Sequence, residues 1–310
     1  MGLCATLPHV KNPKLNLKPI MKKKDCYIQF LSLARNLSPT TCKHYSDIMH
    51  VFAEFLKTSD LDERVVTNTD VTRWVMQQAS HGIKAVTINN RLVAMRRYYD
   101  YCVRLHEYPS NPFVGIEPLK VPKLLPKYIP ATTIQRVVDS LSTSSFDGVR
   151  AAAIIMTFFC TGIRRSELTN LSAFDVDVSS RVVHVFGKGR KERITPIPDK
   201  LVTFLLRWQG MVEDNFAHRP LTYFCNDLGE RLNETFLWRL FHEVFSGFVE
   251  RKLQHPHVLR HSYATTLMQA GVPIVDIARL LGHSSVATTM RYLSLSPSSQ
   301  YSATVNAVFQ

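Results

Sequence analysis

Apolar residues recur at helical spacing through much of the chain. Ser38-Pro39 suits the start of a helix, because serine caps a first turn and proline fits within it. The same periodicity predicts further helices over residues 69–79 and 85–106. An all-helical unit is therefore expected over residues 25–115. The apolar positions that define its first helix are Tyr45, Ile48, Met49, Phe52, Phe55 and Leu56.

The helix predicted over residues 85–106 carries an apolar stripe and leaves its arginines to other faces. The arginines could follow a phosphate backbone or only line a solvated surface, and the sequence favours neither reading. The stripe consists of Leu92, Met95, Tyr99, Cys102 and Val103, and the arginines are Arg91, Arg96, Arg97 and Arg104.

Prolines and lysines alternate between Asn111 and Pro130. Proline at this density stops helices and stiffens a linker, so the sequence predicts a linker over residues 116–130. Such an extended basic linker could also wrap a DNA duplex. The prolines are Pro112, Pro118, Pro122, Pro126 and Pro130.

The second domain, residues 131–310, is predicted to be mostly helical with a small sheet. Residues 151–160 are apolar nearly all round and should form a buried central helix. Two short runs rich in β-formers, RVVHVF and ERITPI, flank a glycine-containing turn and predict a hairpin. The fold class is thus mainly α with a small β-sheet (α+β), in two domains. Helical patterns follow at residues 201–208, 235–253, 258–270, 274–281 and 286–293.

Composition adds a basic charge to an otherwise ordinary globular pattern. The chain has 38 Lys+Arg against 25 Asp+Glu, a net charge of +13, which favours nucleic acid as a partner and an anionic membrane surface second. Residues 1–24 contain six lysines and no acidic residue, and they predict a flexible basic arm. No signal peptide and no transmembrane run is expected. The six cysteines are scattered and are interpreted as reduced thiols in the cytoplasm, not as a disulfide or zinc framework.

The first cluster that could carry chemistry is TGIRRSELTNL, residues 161–171. Gly162 should end the buried helix, and Ser166 could cap the next helix, whose first turn includes Glu167. Arg164 lies where a core would not accept a charge. On this cluster alone, a structural ion pair is favoured over an arginine that is presented to an anion.

The second cluster, GKGRKER at residues 187–193, falls at the tip of the predicted hairpin. It lacks the length and the Ser/Thr of a phosphate-binding Walker loop. The tip should extend Lys188 outward. A surface lysine is usually only solvated, and the neighbouring Arg190, Lys191 and Arg193 favour that plain interpretation.

The third cluster, HPHVLRHSYATTLMQAG at residues 255–271, places His257 and Arg260 on one face of a helix. His257 and His261 have the spacing of a zinc pair, but no Glu accompanies them, so the pattern is not His-Glu-x-x-His. An arginine between two candidate ligands favours an anion over a cation.

The fourth cluster joins LLGH to a tyrosine nine residues later. Taken singly, His283 is more often a capping residue, and Tyr292 is more often a core or interface residue. The four clusters together contain no carboxylate pair and no metal motif, and they describe a site that holds a phosphate. Its residues are Arg164, Lys188, His257, Arg260, His283 and Tyr292.

Each of these residue types has a role at a phosphate. The arginines could donate paired hydrogen bonds to the non-bridging oxygens, and the histidines could add donors as charge builds. Tyr292 could attack the phosphorus, with His257 accepting its proton. Lys188 could protonate the departing oxygen, because a site without a metal needs an acid there.

The order of these motifs resembles the tyrosine recombinases, the phage-integrase and Xer-type family. TGIRRSEL resembles the family's first arginine box, GKGRKERITPI its lysine hairpin, HVLRH its His-x-x-Arg box and LLGH its second histidine box. The tyrosine follows at the family's distance. The resemblance implies that all six residues named above are catalytic, with Tyr292 as the nucleophile.

The resemblance also implies an architecture and a reaction. Two domains would form a C-shaped clamp on double-stranded DNA, with residues 25–115 as the core-binding domain. Strands would be exchanged through a 3′-phosphotyrosine and a Holliday junction, with no ATP, cofactor or obligatory metal. The expected assembly is a homo-tetramer, one dimer on each short inverted-repeat site. A second recombinase or accessory protein is an option, and the expected location is the bacterial cytoplasm, on the nucleoid when DNA is bound.

Rival interpretations remain open at the level of sequence. A DNA-binding regulator with a dead site would be expected to lack one of the six residues, and none is missing. A type IB topoisomerase uses the same chemistry, although the Xer-like spacing and the preceding helical domain disfavour it. The biological task also stays open, because chromosome-dimer resolution, phage integration, transposition and inversion share this catalytic core.

Overall fold

The computed structural model describes residues 22–122, 126–187, 192–283 and 289–290. These residues form two compact units, one on each side of the gap at 123–125. Helices dominate both, and the one sheet within these ranges is small, three-stranded and antiparallel. The predicted class, mainly α with a small β-sheet, is confirmed. None of the helices in these ranges is long and apolar enough to span a membrane.

Four helices build the first unit around an aromatic core. Phe52 lies at the centre, with its ring 4.8 Å from that of Trp74 and 5.4 Å from that of Phe113, both edge to face. A short π-helical turn at 30–34 continues the first helix. The helices are α1 (Lys22–Gln29), α2 (Pro39–Thr58), α3 (Asn68–Ser80) and α4 (Ala85–Arg104).

The three helices predicted in this unit are confirmed, and a fourth precedes them. Ser38 caps α2, with its Oγ accepting a hydrogen bond from the amide of Thr41 at 3.2 Å. Helix α1 was not predicted, and it begins inside the supposed flexible arm. That prediction is wrong for residues 22–24, because Tyr27 and Leu31 pack into the core and Lys24 is itself buried, with Nζ 2.5 Å from His50 Nε2. The rest of the arm lies outside the described residues.

The arginines of α4 bind the unit's own groups. Arg91 donates to the side chain of Gln78, and Arg97 donates to the hydroxyl of Tyr45. Arg96 donates to the carbonyl oxygens of Phe113 and Ile116, at 3.0 and 2.8 Å. Neither sequence reading anticipated this use. The guanidinium of Arg96 holds the chain that leaves α4 against that helix.

The second unit is built around α6, whose residues are nearly all buried and which packs against α8 and α10. The hairpin is confirmed, with Val183 opposite Thr195 and Val185 opposite Arg193. The strands are β1 (Val176–Asp177), β2 (Val182–Phe186) and β3 (Glu192–Pro196). The helices are α5 (Ala131–Asp139), α6 (Phe146–Thr161), α7 (Arg165–Asn170), α8 (Asp199–Asn215), α9 (Glu234–Val244), α10 (Pro256–Gln269) and α11 (Ile274–Leu281).

Several boundaries differ from the sequence expectation. Helix α5 and strand β1 were not predicted, and α8 extends seven residues beyond the predicted end. Helix α9 ends at Val244 instead of continuing to residue 253, because the chain turns at Gly247, whose φ is 80°. The helix predicted over 286–293 falls outside the described residues, apart from 289 and 290.

Candidate active site

A turn at a glycine ends the central helix, α6, and leads the chain to the first arginine of the site. Gly162 ends α6 with φ at 59°, and its amide donates to the carbonyl oxygen of Phe158. A Cβ at this position would collide with the ring of Tyr263 and lie 2.9 Å from Leu281 Cδ2. Both the backbone angle and the close packing therefore require glycine. The chain leaves this turn as Arg164, the N-cap residue of α7.

Glu167 caps α7, and the prediction that Ser166 does so is wrong. The Glu167 side chain reaches back so that Oε2 accepts from the backbone amide of Arg164 at 2.8 Å. Its Oε1 accepts from Arg164 Nη1 at 2.6 Å. Ser166 lies within the helix itself, where its hydroxyl is not at the capping position.

A second arginine completes the binding of this carboxylate. Arg193, on β3, donates from Nη1 to Oε1 of Glu167 at 2.9 Å and from Nη2 to Oε2 at 2.8 Å. Burial alone would raise the pKa of Glu167. The hydrogen bonds and charge of Arg193, together with the bonds from Arg164, outweigh burial and lower the pKa to about 2. Glu167 is therefore a carboxylate at neutral pH.

Three arginines meet the C-terminal end of α11. Carbonyl groups at a helix end lack partners within the helix and carry partial negative charge, so guanidinium donors are favourable there. Each arginine comes from a different part of the unit, which fixes the end of α11 against all of them. Arg193 Nε donates to Leu280 O at 3.0 Å, Arg260 Nη2 to Leu281 O at 2.5 Å, and Arg164 Nη2 to Gly282 O at 2.9 Å.

Arg260 joins three helices at this point. Besides its bond to α11, its Nη1 donates to the carbonyl oxygen of Gly162 at 2.5 Å, and only 2% of the residue is exposed. Arg164 is more open, with 37% of its side chain exposed. The two arginines thus share one location but differ in their access to solvent.

The two histidines take different positions. His257 is exposed on the first turn of α10, one turn before Arg260, and its ring lies 4.5 Å from that of His261. Gly282, with φ at 61°, ends α11 and directs the chain into His283. His283 Nδ1 lies 2.7 Å from the hydroxyl of Thr289.

The structure brings together three of the six residues predicted for the site. Arg164, Arg260 and His283 meet at the end of α11, and His257 lies one helical turn from Arg260. Lys188 and Tyr292 lie outside the described residues. No cluster of three or more potential metal ligands of the His, Cys, Asp or Glu type occurs in the described part of the chain.

Two residues that organise this site, Glu167 and Arg193, were not predicted from the sequence. Glu167 was treated only as a favourable acid in a first turn, and Arg193 was treated as one of several surface cations. The alternation of β3 contained a signal, because Arg193 lies on the same face as the fully buried Thr195. A cation on the inner face of a strand needs a partner, and here the partner is Glu167.

Comparison with known proteins identifies the family. The sequence model of the "Phage integrase family" matches residues 127–298, and that of the "Phage integrase, N-terminal SAM-like domain" matches residues 25–106. Tyrosine recombinase XerC of Haemophilus ducreyi is 33% identical over 274 residues, covering 87% of this chain and 88% of the relative. XerC of Escherichia coli O139:H28 is 30% identical over 270 residues, covering 87% and 90%. The chain belongs to the phage integrase family of tyrosine recombinases, enzymes of site-specific DNA recombination.

Solved structures share the fold. A XerH recombinase bound to a palindromic difH substrate, in a post-cleavage complex, gives a TM-score of 0.73 at 19% identity, covering 87% of this chain and 81% of that one. A lambda integrase dimer bound to a core site gives a TM-score of 0.66 at 14% identity, covering 87% and 96%. At these identities the likeness concerns the fold alone.

Proposed function

We propose that this recombinase cuts DNA by attack of the Tyr292 hydroxyl on a backbone phosphorus. A bond forms between the tyrosine oxygen and phosphorus, and the bond from phosphorus to the 5′-oxygen breaks. His257 takes the proton from Tyr292, and Lys188 gives a proton to the departing 5′-oxygen. The products are a 3′-phosphotyrosine and a free 5′-hydroxyl. Because the phosphotyrosine retains the ester, the reverse reaction with another strand rejoins DNA without ATP.

The convergence of Arg164, Arg260 and His283 at the end of α11 is the observation that supports this proposal most. Arg164 uses Nη1 and Nη2 to bind Glu167 and Gly282, and its partly exposed fork could still donate to a phosphate oxygen. Donors fixed before the reaction stabilise the charge that develops on the phosphoryl oxygens. In the proposal, Arg164, Arg260, His257 and His283 hold the phosphate, and none of them forms a covalent bond with it.

The proposed partner is double-stranded DNA with short inverted-repeat core sites. The charge of +13 favours a polyanion, and relatives of the same fold have been solved in complex with DNA. The domains we propose are a basic arm at 1–21, a core-binding domain at 22–115 that includes α1, a linker at 116–130 and a catalytic domain at 131–310. As in the family, they would clamp the duplex as a homo-tetramer, with one dimer on each site and strand exchange through a Holliday junction. The proposed location is the bacterial cytoplasm, on the nucleoid when DNA is bound.

Covalent adducts test this function without a defined target site. The wild-type chain and Tyr292→Phe would be expressed in a bacterium that carries the gene's native flanking DNA, and protein–DNA adducts would be purified under denaturing conditions. We expect adducts from the wild type alone, with DNA ends clustered at one inverted-repeat sequence. Tyr292→Phe should still bind DNA, because only the nucleophilic oxygen is lost. Equal adducts from both proteins would contradict the proposal.

Product analysis separates recombination from topoisomerase action. Two plasmids carrying the recovered sequence would be incubated with the purified protein. We expect joint molecules and exchanged products that carry markers from both plasmids. Relaxation of supercoils in single plasmids, without exchange, would instead indicate a type IB topoisomerase.

A further inference from the structure

Arg193 is tied to the site by three hydrogen bonds, although it is not one of the six residues that the motifs assign to the chemistry. Its two Nη atoms donate to the two carboxylate oxygens of Glu167, and its Nε donates to the carbonyl oxygen of Leu280. Only 11% of its side chain is exposed. A buried arginine held this way keeps one rotamer, because its planar fork fits a carboxylate in a single orientation.

The Glu167 carboxylate connects Arg193 to Arg164. Oε1 accepts from the Nη1 atoms of both arginines, at 2.9 Å from Arg193 and 2.6 Å from Arg164. Oε2 accepts from Arg193 Nη2 and from the backbone amide of Arg164, each at 2.8 Å. Each carboxylate oxygen therefore accepts hydrogen bonds from both arginines. Arg193 fixes the plane of the carboxylate, and Arg164 binds to the carboxylate in that orientation.

Arg193 also supports the turn whose carbonyl oxygen binds the Arg164 guanidinium. Arg164 Nη2 donates to Gly282 O, two residues beyond the Leu280 carbonyl that Arg193 binds. A Cβ on Gly282 would lie 3.1 Å from Arg193 Cδ, so the turn before His283 rests directly on the Arg193 side chain. Removing Arg193 would thus withdraw one support from each of the two groups that Arg164 binds, the Glu167 carboxylate and the Gly282 turn.

We propose that Arg193 is a positioning residue for strand cleavage, which holds Glu167 and the Gly282–His283 turn so that Arg164 presents its guanidinium to the scissile phosphate in one orientation. The inference rests on the proposed function. Arg193 itself is not proposed to touch the substrate. Its effect passes through Arg164, and the position of Lys188 is not part of it.

Two substitutions and one control test the inference. Arg193→Met removes the fork and the charge, whereas Arg193→Lys keeps the charge but cannot make the paired bonds to Glu167. Arg181→Met is the matched control. Arg181 immediately precedes the same hairpin and pairs with the Asp199 carboxylate, but this pair is exposed to solvent. Thermal unfolding of each variant would establish the temperature at which all are folded.

The main readout separates binding from cleavage. The substrate is a synthetic duplex with the sequence at which wild-type adducts cluster, cut in a single turnover at saturating protein. We expect Arg193→Met to cleave about 100-fold more slowly, because small displacements of a positioned group cost this much. DNA affinity should stay within about threefold, since the transition state and not the bound state is affected. Arg193→Lys should also cleave slowly. If Arg193→Met does not fold, the cleavage rate of Arg193→Lys decides the test.

A substrate with sulfur at the 5′-bridging position locates the defect. Sulfur leaves without help from an acid, so it should restore the rate of Lys188→Ala. It should not restore the cleavage rate of Arg193→Met or Arg193→Lys, because in these variants Arg164 no longer binds the phosphate correctly. Cleavage by both folded Arg193 variants at the control rate would overturn the inference, and so would full recovery on the sulfur substrate.

The outcomes also separate this inference from the proposed function. If the wild type forms no adduct, or if Tyr292→Phe forms adducts as the wild type does, the proposed function fails and the inference falls with it. If the wild type cleaves through Tyr292 while the Arg193 variants match Arg181→Met, only the inference fails.

Discussion

Replacing Glu167 with glutamine would measure how strongly the site's central ion pair holds the second unit together. Glutamine keeps the size of the side chain and removes its charge. Only 4% of the Glu167 side chain is exposed, and Arg193, with 11% exposed, would lose its carboxylate partner. Breaking a buried pair from one side is costly, because the remaining charge stays in a poorly solvated place.

The pKa of Glu167 gives the size of this contribution to the free energy of unfolding and the direction in which it changes with pH. The pKa falls from 4.5 to about 2 on folding. That difference corresponds to about 3 kcal/mol in the free energy of unfolding. A lowered pKa means that the folded state favours the ionised form. The contribution is therefore complete above pH 4.5, and it is lost as the pH falls from there towards 2.

Tryptophan fluorescence can report this unit alone. In a background with Trp74→Phe and Trp238→Phe, the remaining tryptophan is Trp208, which is buried in the second unit. Urea titrations at neutral pH should show Glu167→Gln destabilised by about 3 kcal/mol, whereas at pH 3 the difference should shrink to about 1 kcal/mol. Asp199→Asn in the same background is the control, because its pair with Arg181 is exposed and should contribute less than about 1 kcal/mol.

A difference between wild type and Glu167→Gln that stays constant from pH 7 to pH 3 would contradict a contribution from the Glu167 charge. It would mean that the loss comes from packing and not from the charge. A difference no larger than that of Asp199→Asn would show that the pair contributes no more than an exposed one.

Two further predictions concern the turn and the lysine. Gly162→Ala should lower the free energy of unfolding by about 2–4 kcal/mol, through backbone strain and collision with Tyr263. Gly247 has a similar φ but open space around it, so Gly247→Ala should lower the free energy of unfolding by only about 1 kcal/mol. Equal losses for the two variants would show that the collision contributes nothing. Lys188→Ala should slow cleavage much less on the 5′-sulfur substrate than on the natural one, and equal slowing on both would remove Lys188 from the acid role.

The sequence predicts the helices of both units because their signals are local. Ser38 caps α2 as expected, and the apolar run at 151–160 forms the buried centre of α6. Helix α1 escaped prediction because its lysines resemble a solvated arm. The apolar residues of α1, such as Tyr27, are buried only when the core of the unit is assembled around them.

The candidate site shows the same limit more sharply. The types and order of Arg164, Arg260 and His283 indicate phosphate chemistry, because each stands in a short motif that can be read from the sequence. The carbonyl oxygens that hold the arginines carry no sequence signal, since every residue has one. The role of Arg193 depends on Glu167, which lies 26 positions earlier in the chain. Only the folded arrangement pairs them.

Mapping the covalent bond to one residue would show directly whether Tyr292 is the nucleophile. Adducts formed by the wild type would be digested with nuclease and protease, and the peptide that carries a nucleotide would be identified by mass spectrometry. The proposed cleavage step predicts a nucleotide joined through its 3′-phosphate to Tyr292. A nucleotide on any other side chain, such as that of Tyr301, or a 5′-phosphate linkage, would contradict it.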